Sequence, residues 1–223
     1  MKREFTTRTL IVASVSLVLV AIVGLLYFTR SAGGERATPF GDAISVLEGE
    51  PGDVVAVVDG TEISSAQVQA YLILAAGPGP GPAQGVGAPF TEAEYVDLLI
   101  NNELLYQEAL RRGHGPTDDE VMALAVQVKD SLLEAMKANT SEASQLRDVF
   151  EQVEGTAYHV DVYDSSPEML DGFRRQIAIN ALRNEVIETL PPADRNNIDK
   201  REAAIDEFVA SLRSVADIAI FDS

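Results

Sequence analysis

The stretch VVAVVDGTEISS, residues 54–65, decides how the rest of the chain is read. Val54–Val58 is apolar throughout and β-branched except at Ala56, which points to a strand covered on both faces. Asp59-Gly60 is a strong two-residue turn signal, because both central positions of a type I′ turn need positive φ. Residues 61–63 form the short return strand. Ser64 then begins a helix, with Gln67 three positions later as in a capping box. A lone hairpin is marginal in water, so the valine strand needs another neighbour. The far end of the chain offers one: residues 217–221, DIAIF, alternate like a short strand. The expectation is a single mainly α domain knitted by its own two ends, with a small β-sheet joining the hairpin to the C-terminal strand.

Between those ends the signals are helical. Thr91 with Glu94, and Thr117 with Glu120, form capping boxes, and Phe90 with Tyr95 can staple the first. Gly113-His114-Gly115-Pro116 stops the helix before the second box. Ser166 can cap a helix with Pro167 at its first position, and Asp199 with Glu202 marks the start of the last one. Apolar stripes follow the helical period: Val121, Leu124, Ala125, Val128, Leu132 and Met136; Leu170, Phe173, Ile177 and Ala181 beside Ile179, Leu182, Val186 and Leu190; and Ile205, Phe208, Val209, Leu212, Val215 and Ala216. Residues 142–153 read as a weaker helix, and residues 156–164 as extended or loop.

Outside this domain the composition changes sharply. Residues 9–29 contain no charge, and residues 10–28 alone span about 28 Å as a helix, enough to cross a bilayer core. Lys2, Arg3 and Arg8 precede the run, and Tyr27 and Phe28 sit at its far end, where aromatic rings favour the interface. The competing reading is a cleaved signal peptide, but the run is long for one and TRSAGGER lacks a good small-x-small site. The expected layout is a cytoplasmic tail (1–8), a transmembrane helix (9–29), a Gly-, Pro- and charge-rich linker (30–53) and the folded domain (54–223). The basic residues before the span place the N-terminus in the cytoplasm and the domain outside the cell membrane.

The chain carries a net charge of −18, and all but one of its 35 acidic residues follow residue 30. A domain so acidic is a poor ligand for nucleic acid or anionic lipid. With no cysteine, disulfides and thiolate metal sites are excluded. No phosphate-loop, zincin or nucleophile-elbow motif is present. GPGPGPAQGVGAP (77–89) imitates a phosphate loop, but prolines remove the backbone N–H groups such a cradle needs, so it reads as a loop between helices. His159 and Asp161, two apart, share one face of an extended segment, with Asp164 nearby, but a metal site usually needs more ligands than this cluster guarantees. No cofactor and no catalytic residue is expected.

VVAVVDGTEISSAQVQAYL, followed after a gap by LLINNELLYQEALRRGHGPTDDEV, resembles the SurA N-terminal domain family, chaperone domains of extracytoplasmic folding factors related in layout to the PrsA foldases. Val55, Ala56, Val58, Asp59, Gly60 and Ile63 match the family's V-A-x-V-[ND]-G-x-x-I hairpin. Leu99, Ile100, Leu104, Leu105, Glu108 and Ala109 match its L-I-x-x-x-L-L-x-x-E-A helix, residues 117–121 its next helix start, and FVASLRSVADIAIF (208–221) its closing helix and strand. Many relatives insert a parvulin prolyl isomerase domain between the last two chaperone helices. Here that junction is only LPPADRNNID (190–199), so the isomerase activity is not carried over.

The resemblance implies an anchored, ATP-independent chaperone that holds unfolded or newly secreted polypeptides. The alternative is a non-catalytic adaptor gripping one defined membrane or secreted partner. The candidate client surface is a second apolar stripe, Met122, Val126 and Leu133, on the helix whose first stripe begins at Val121. The rival expectation is that this helix is buried on both sides.

Overall fold

The computed structural model describes residues 39–76, 91–140, 143–144, 147 and 167–221. The apolar run 9–29, the loop 77–89, the His159 cluster and the Ser166 cap lie outside them. Among the described residues no helix is long and apolar enough to cross a membrane.

The described elements run α1 (Pro39–Glu48), β1 (Val54–Val58), β2 (Thr61–Ser64), α2 (Ser65–Ala76), α3 (Glu92–Arg111), α4 (Asp118–Lys137), α5 (Pro167–Glu188), α6 (Ile198–Arg213) and β3 (Ile218–Ile220). The fold is mainly helical, with one three-stranded antiparallel sheet of order β2-β1-β3. Asp59 at φ 48° and Gly60 at φ 86° make the tight turn that the Asp-Gly pair demands. A bulge between Val54 and Ala56 bends β1 against β2. The last strand does close on the valine strand: Ala56 faces Ile220, Val57 faces Ala219 and Val58 faces Ile218. Two flanking bonds extend the pairing, Asp59 N–H to Asp217 O at 2.9 Å and Phe221 N–H to Val55 O at 2.9 Å.

The sheet and helices share two apolar clusters. In the first, Val55, Ala56, Val58 and Ile63 pack with Val68 of α2 and with Tyr95, Val96, Ile100 and Leu104 of α3. The second joins Leu105 and Ala109 of α3 to Ala178, Leu182 and Val186 of α5 and Ile205 and Val209 of α6. Helix α3 thus belongs to both, and its two ends face different partners.

The helix starts follow the local chemistry. Thr91 and Thr117 close reciprocal capping boxes with Glu94 and Glu120. Ser64 and Gln67 do the same, the Ser64 hydroxyl accepting from Gln67 N–H at 3.3 Å and the Gln67 side chain accepting from Ser64 N–H at 2.9 Å. Helix α3 ends in a Schellman motif: Gly113, at φ 82°, sends its N–H to Leu110 O, and His114 N–H reaches Ala109 O.

Three expectations need correction. The segment read as a linker contains the ten-residue α1, which packs on α2 and buries Ala43. Its flanking Gly and Pro obscured a helix that packing stabilises. The last helix is capped by Asn197, whose side chain accepts from Lys200 N–H at 3.1 Å, and not by Asp199. Asn and Asp cap comparably well, so composition alone does not choose between them. Val215, assigned to the third stripe, is exposed because α6 stops at Arg213. The junction between α5 and α6 is compact: the Arg195 guanidinium donates to Leu190 O and Glu188 O, and Asp194 N–H to Pro191 O. No further domain stands between those helices.

Candidate functional site

Helix α4 is held by one face. Val121, Ala125, Val128 and Leu132 are buried, and the helix packs against α5. Arg174 of α5 bonds the Asp118 carboxylate at 2.9 Å, pinning the first turn. At the other end the Arg147 guanidinium donates to Met136 O and Ala138 O, carbonyls left over where the helix stops.

A flanking face, about 100° around the helix from the buried one, carries the proposed client stripe. Met122 is 36 % exposed and Val126 41 %, while Leu133 is half-buried. Helical spacing places the three side chains within about 40° of one another around the axis. The helix is therefore not buried on both sides. Beside the stripe lies an open, shallow depression lined by Ala123, Val126, Gln127, Ser131 and Ala135, with Asp130 and Glu134 among its walls. This is an apolar strip bordered by carboxylates. It suits apolar side chains carried on a neutral or basic segment, and Met supplies a flexible, polarizable contact.

Two polar ties hold the elements that carry α4. In the first, Glu103 is buried between the Gln107 amide, 2.9 Å from one carboxylate oxygen, and the Arg175 guanidinium, 2.6 Å from the other. The same Gln107 amide reaches Val58 O at 3.2 Å and Thr61 Oγ1 at 3.1 Å. The hairpin, α3 and α5 are thus linked through the Gln107 amide and the buried Glu103 carboxylate, while the Arg175 guanidinium stacks over the Tyr106 ring at 4.4 Å. In the second tie Glu108 takes Arg111 and Arg112, each at 2.6 Å. Arg112 also reaches Glu185 at 2.6 Å and lies over the Phe208 ring at 4.9 Å. His114, positioned by the Schellman turn, meets Glu185 at 2.5 Å.

The electrostatics of the second tie are those of a clamp. The Arg111 guanidinium, with Arg112 behind it, holds the Glu108 carboxyl below its ordinary value of 4.5, even though burial pushes the other way. Arg112 and then His114 do the same for Glu185. Such groups remain charged near neutral pH and are poorly placed to exchange protons there. Glu108 stabilises the fold above its ordinary value, and that contribution is lost as pH falls through its lowered folded value. Thermal melts of Glu108→Gln are expected to lie below the native chain at pH 7. The gap should close as pH drops below about 4.5; a gap independent of pH would refute the clamp.

Among the described residues no group of His, Asp and Glu is arranged to hold a metal ion. The structure places Met122, Val126 and Leu133 on one face, as their spacing requires. The sequence did not reveal the Glu103–Arg175 tie, whose partners are 72 positions apart on different helices. No protein-family model matches the chain, and neither a curated protein nor a solved structure is significantly similar to it.

Proposed function

We propose that this chain is a membrane-anchored, ATP-independent holdase for unfolded or newly secreted polypeptides, acting outside the cell membrane and without prolyl isomerase activity. The observation that carries the proposal is the outer face of α4, where Met122 and Val126 are exposed on a helix whose other face is committed to the core. An unfolded client exposes apolar side chains, each worth about 1.5–3 kcal/mol when fully buried, and partial burial on an open strip yields less. Weak, adaptable contacts suit a protein that must hold a client and then let it go. The SurA-like order of hairpin, helices and closing strand supports the same reading. An anchor in residues 9–29 would raise the local concentration of binder where chains emerge.

The test is suppression of aggregation of an unfolded model protein by the full chain in nanodiscs without nucleotide. Met122→Ser with Val126→Ser is expected to raise the concentration needed by about fivefold, with little change in melting temperature. Leu133, being half-buried, is a poorer probe because its replacement also disturbs packing. Failure of the native chain to suppress aggregation sinks the holdase. Recovery of one stoichiometric partner from solubilised membranes, in place of a broad spread of secreted chains, favours the adaptor.

A further inference from the structure

Among the described residues the outer edge of β3 has no strand partner, and an apolar groove lies beside it. Asp217 O and Phe221 N–H bond to β1. Antiparallel alternation therefore turns the N–H and C=O groups of Ile218 and Ile220 away from β1. Among the described residues no strand lies on that side. Natural edges are commonly blunted by Lys, Pro or a bulge. Residues 214–221 contain neither Lys nor Pro, and the sheet's bulge lies in the β1–β2 pair. Ile220 is 58 % exposed and Phe221 48 %. Together with Val55 and Val96 they line a groove of about 390 Å³ whose polar wall is Glu92 and Asp97.

We propose that this edge binds an extended polypeptide segment by strand addition, and that the preferred segment has alternating apolar residues flanked by Lys or Arg. This presupposes the polypeptide-holding role proposed above and adds where the main chain is gripped. An edge strand selects extended backbone of almost any sequence through its hydrogen bonds, while neighbouring pockets take alternate side chains. Charge decides among occupants. Glu92 and Asp97 line the groove, and Asp217 opens the strand, its N–H held by the Asp59 carboxylate at 2.8 Å. Arg213 bonds one of these acids, Asp97, at 2.6 Å. A second copy would bring the same acids to the same edge on a chain already at −18. A basic-flanked segment meets complementary charge instead.

The test uses the full chain in nanodiscs and a short fluorescein-labelled peptide of alternating Val and Thr with Lys at both ends, followed by anisotropy. Saturable binding is expected. Methylating the peptide's central backbone nitrogens, or exchanging its Lys for Glu, is expected to weaken it by about tenfold or more. Ile220→Pro removes an outward N–H while sparing the bonds to β1, so it should weaken binding similarly with little change in melting temperature. Three outcomes overturn strand addition. Binding indifferent to N-methylation but lost in Met122→Ser with Val126→Ser places the segment on α4. No peptide binding by a chain that still suppresses aggregation leaves the holdase standing without this grip. Concentration-dependent dimers abolished by Ile220→Pro assign the edge to a second copy.

Discussion

Replacing Arg175 with Leu is expected to cost about 2–3 kcal/mol of unfolding free energy. The loss comes from the partner left behind. Glu103 is buried, and without the guanidinium one of its carboxylate oxygens loses a 2.6 Å charge-assisted bond. Breaking a fully buried pair costs about 3–5 kcal/mol. The lower figure applies here because the Arg175 side chain is itself 40 % exposed. Chemical denaturation of Arg175→Leu measures the single cost. Adding Glu103→Gln should recover part of it, since a neutral amide needs no counter-ion and can still pair with Gln107. A double-mutant cycle is expected to give a coupling of about 1–2 kcal/mol. A single-variant cost below about 0.5 kcal/mol would show that water, not Arg175, satisfies the carboxylate.

The tie matters to function because α4 packs against α5. The outer face of α4 is aimed by α5, and α5 is registered against the hairpin through Glu103 and Gln107. Arg175→Leu should therefore blunt aggregation suppression as well, although it lies on a different helix from Met122 and Val126.

What the sequence showed in advance was local chemistry. Asp59-Gly60 permits few alternatives to a tight turn, and a Thr followed three residues later by Glu satisfies two N–H groups with short-range bonds only. The closure of β3 on β1 was legible because a five-residue apolar strand without a second neighbour is an incomplete object. Features set by tertiary packing were not legible. Helix α1 depends on α2 to bury Ala43, so its short sequence beside Gly and Pro resembled a tether. On α5 the buried line runs Phe173, Ala178, Leu182 and Val186, taking members from both expected stripes and Ala178 from neither. That line follows how α3, α4 and α6 cross the helix, which periodicity alone does not fix. Ion-pair partners were equally hidden, since 35 acidic residues offer each Arg many formal choices.

The other large effect belongs to the closing strand itself. Ala219→Pro is expected to destabilise the domain by about 2–4 kcal/mol, in contrast to its neighbour Ile220→Pro. Ala219 faces Val57 across the ladder, between the flanking bonds at Asp59–Asp217 and Val55–Phe221. Its N–H therefore points inward at β1, and proline deletes it, stranding the Val57 carbonyl. Ile218, which packs on the first apolar cluster, would be pulled from its place along with the strand. The end of α6 should resist, because Arg213 bonds Asn101 at 2.7 Å and Asp97 at 2.6 Å and fixes the helix on α3. The damage should accordingly stay local. Amide exchange is expected to speed up in β1 and β3, while the second cluster, centred on Leu105, Leu182 and Ile205, stays protected. Equal destabilisation by Ala219→Pro and Ile220→Pro would mean that inner and outer edges of β3 are not distinct, and the strand-addition proposal would lose its geometric basis with them.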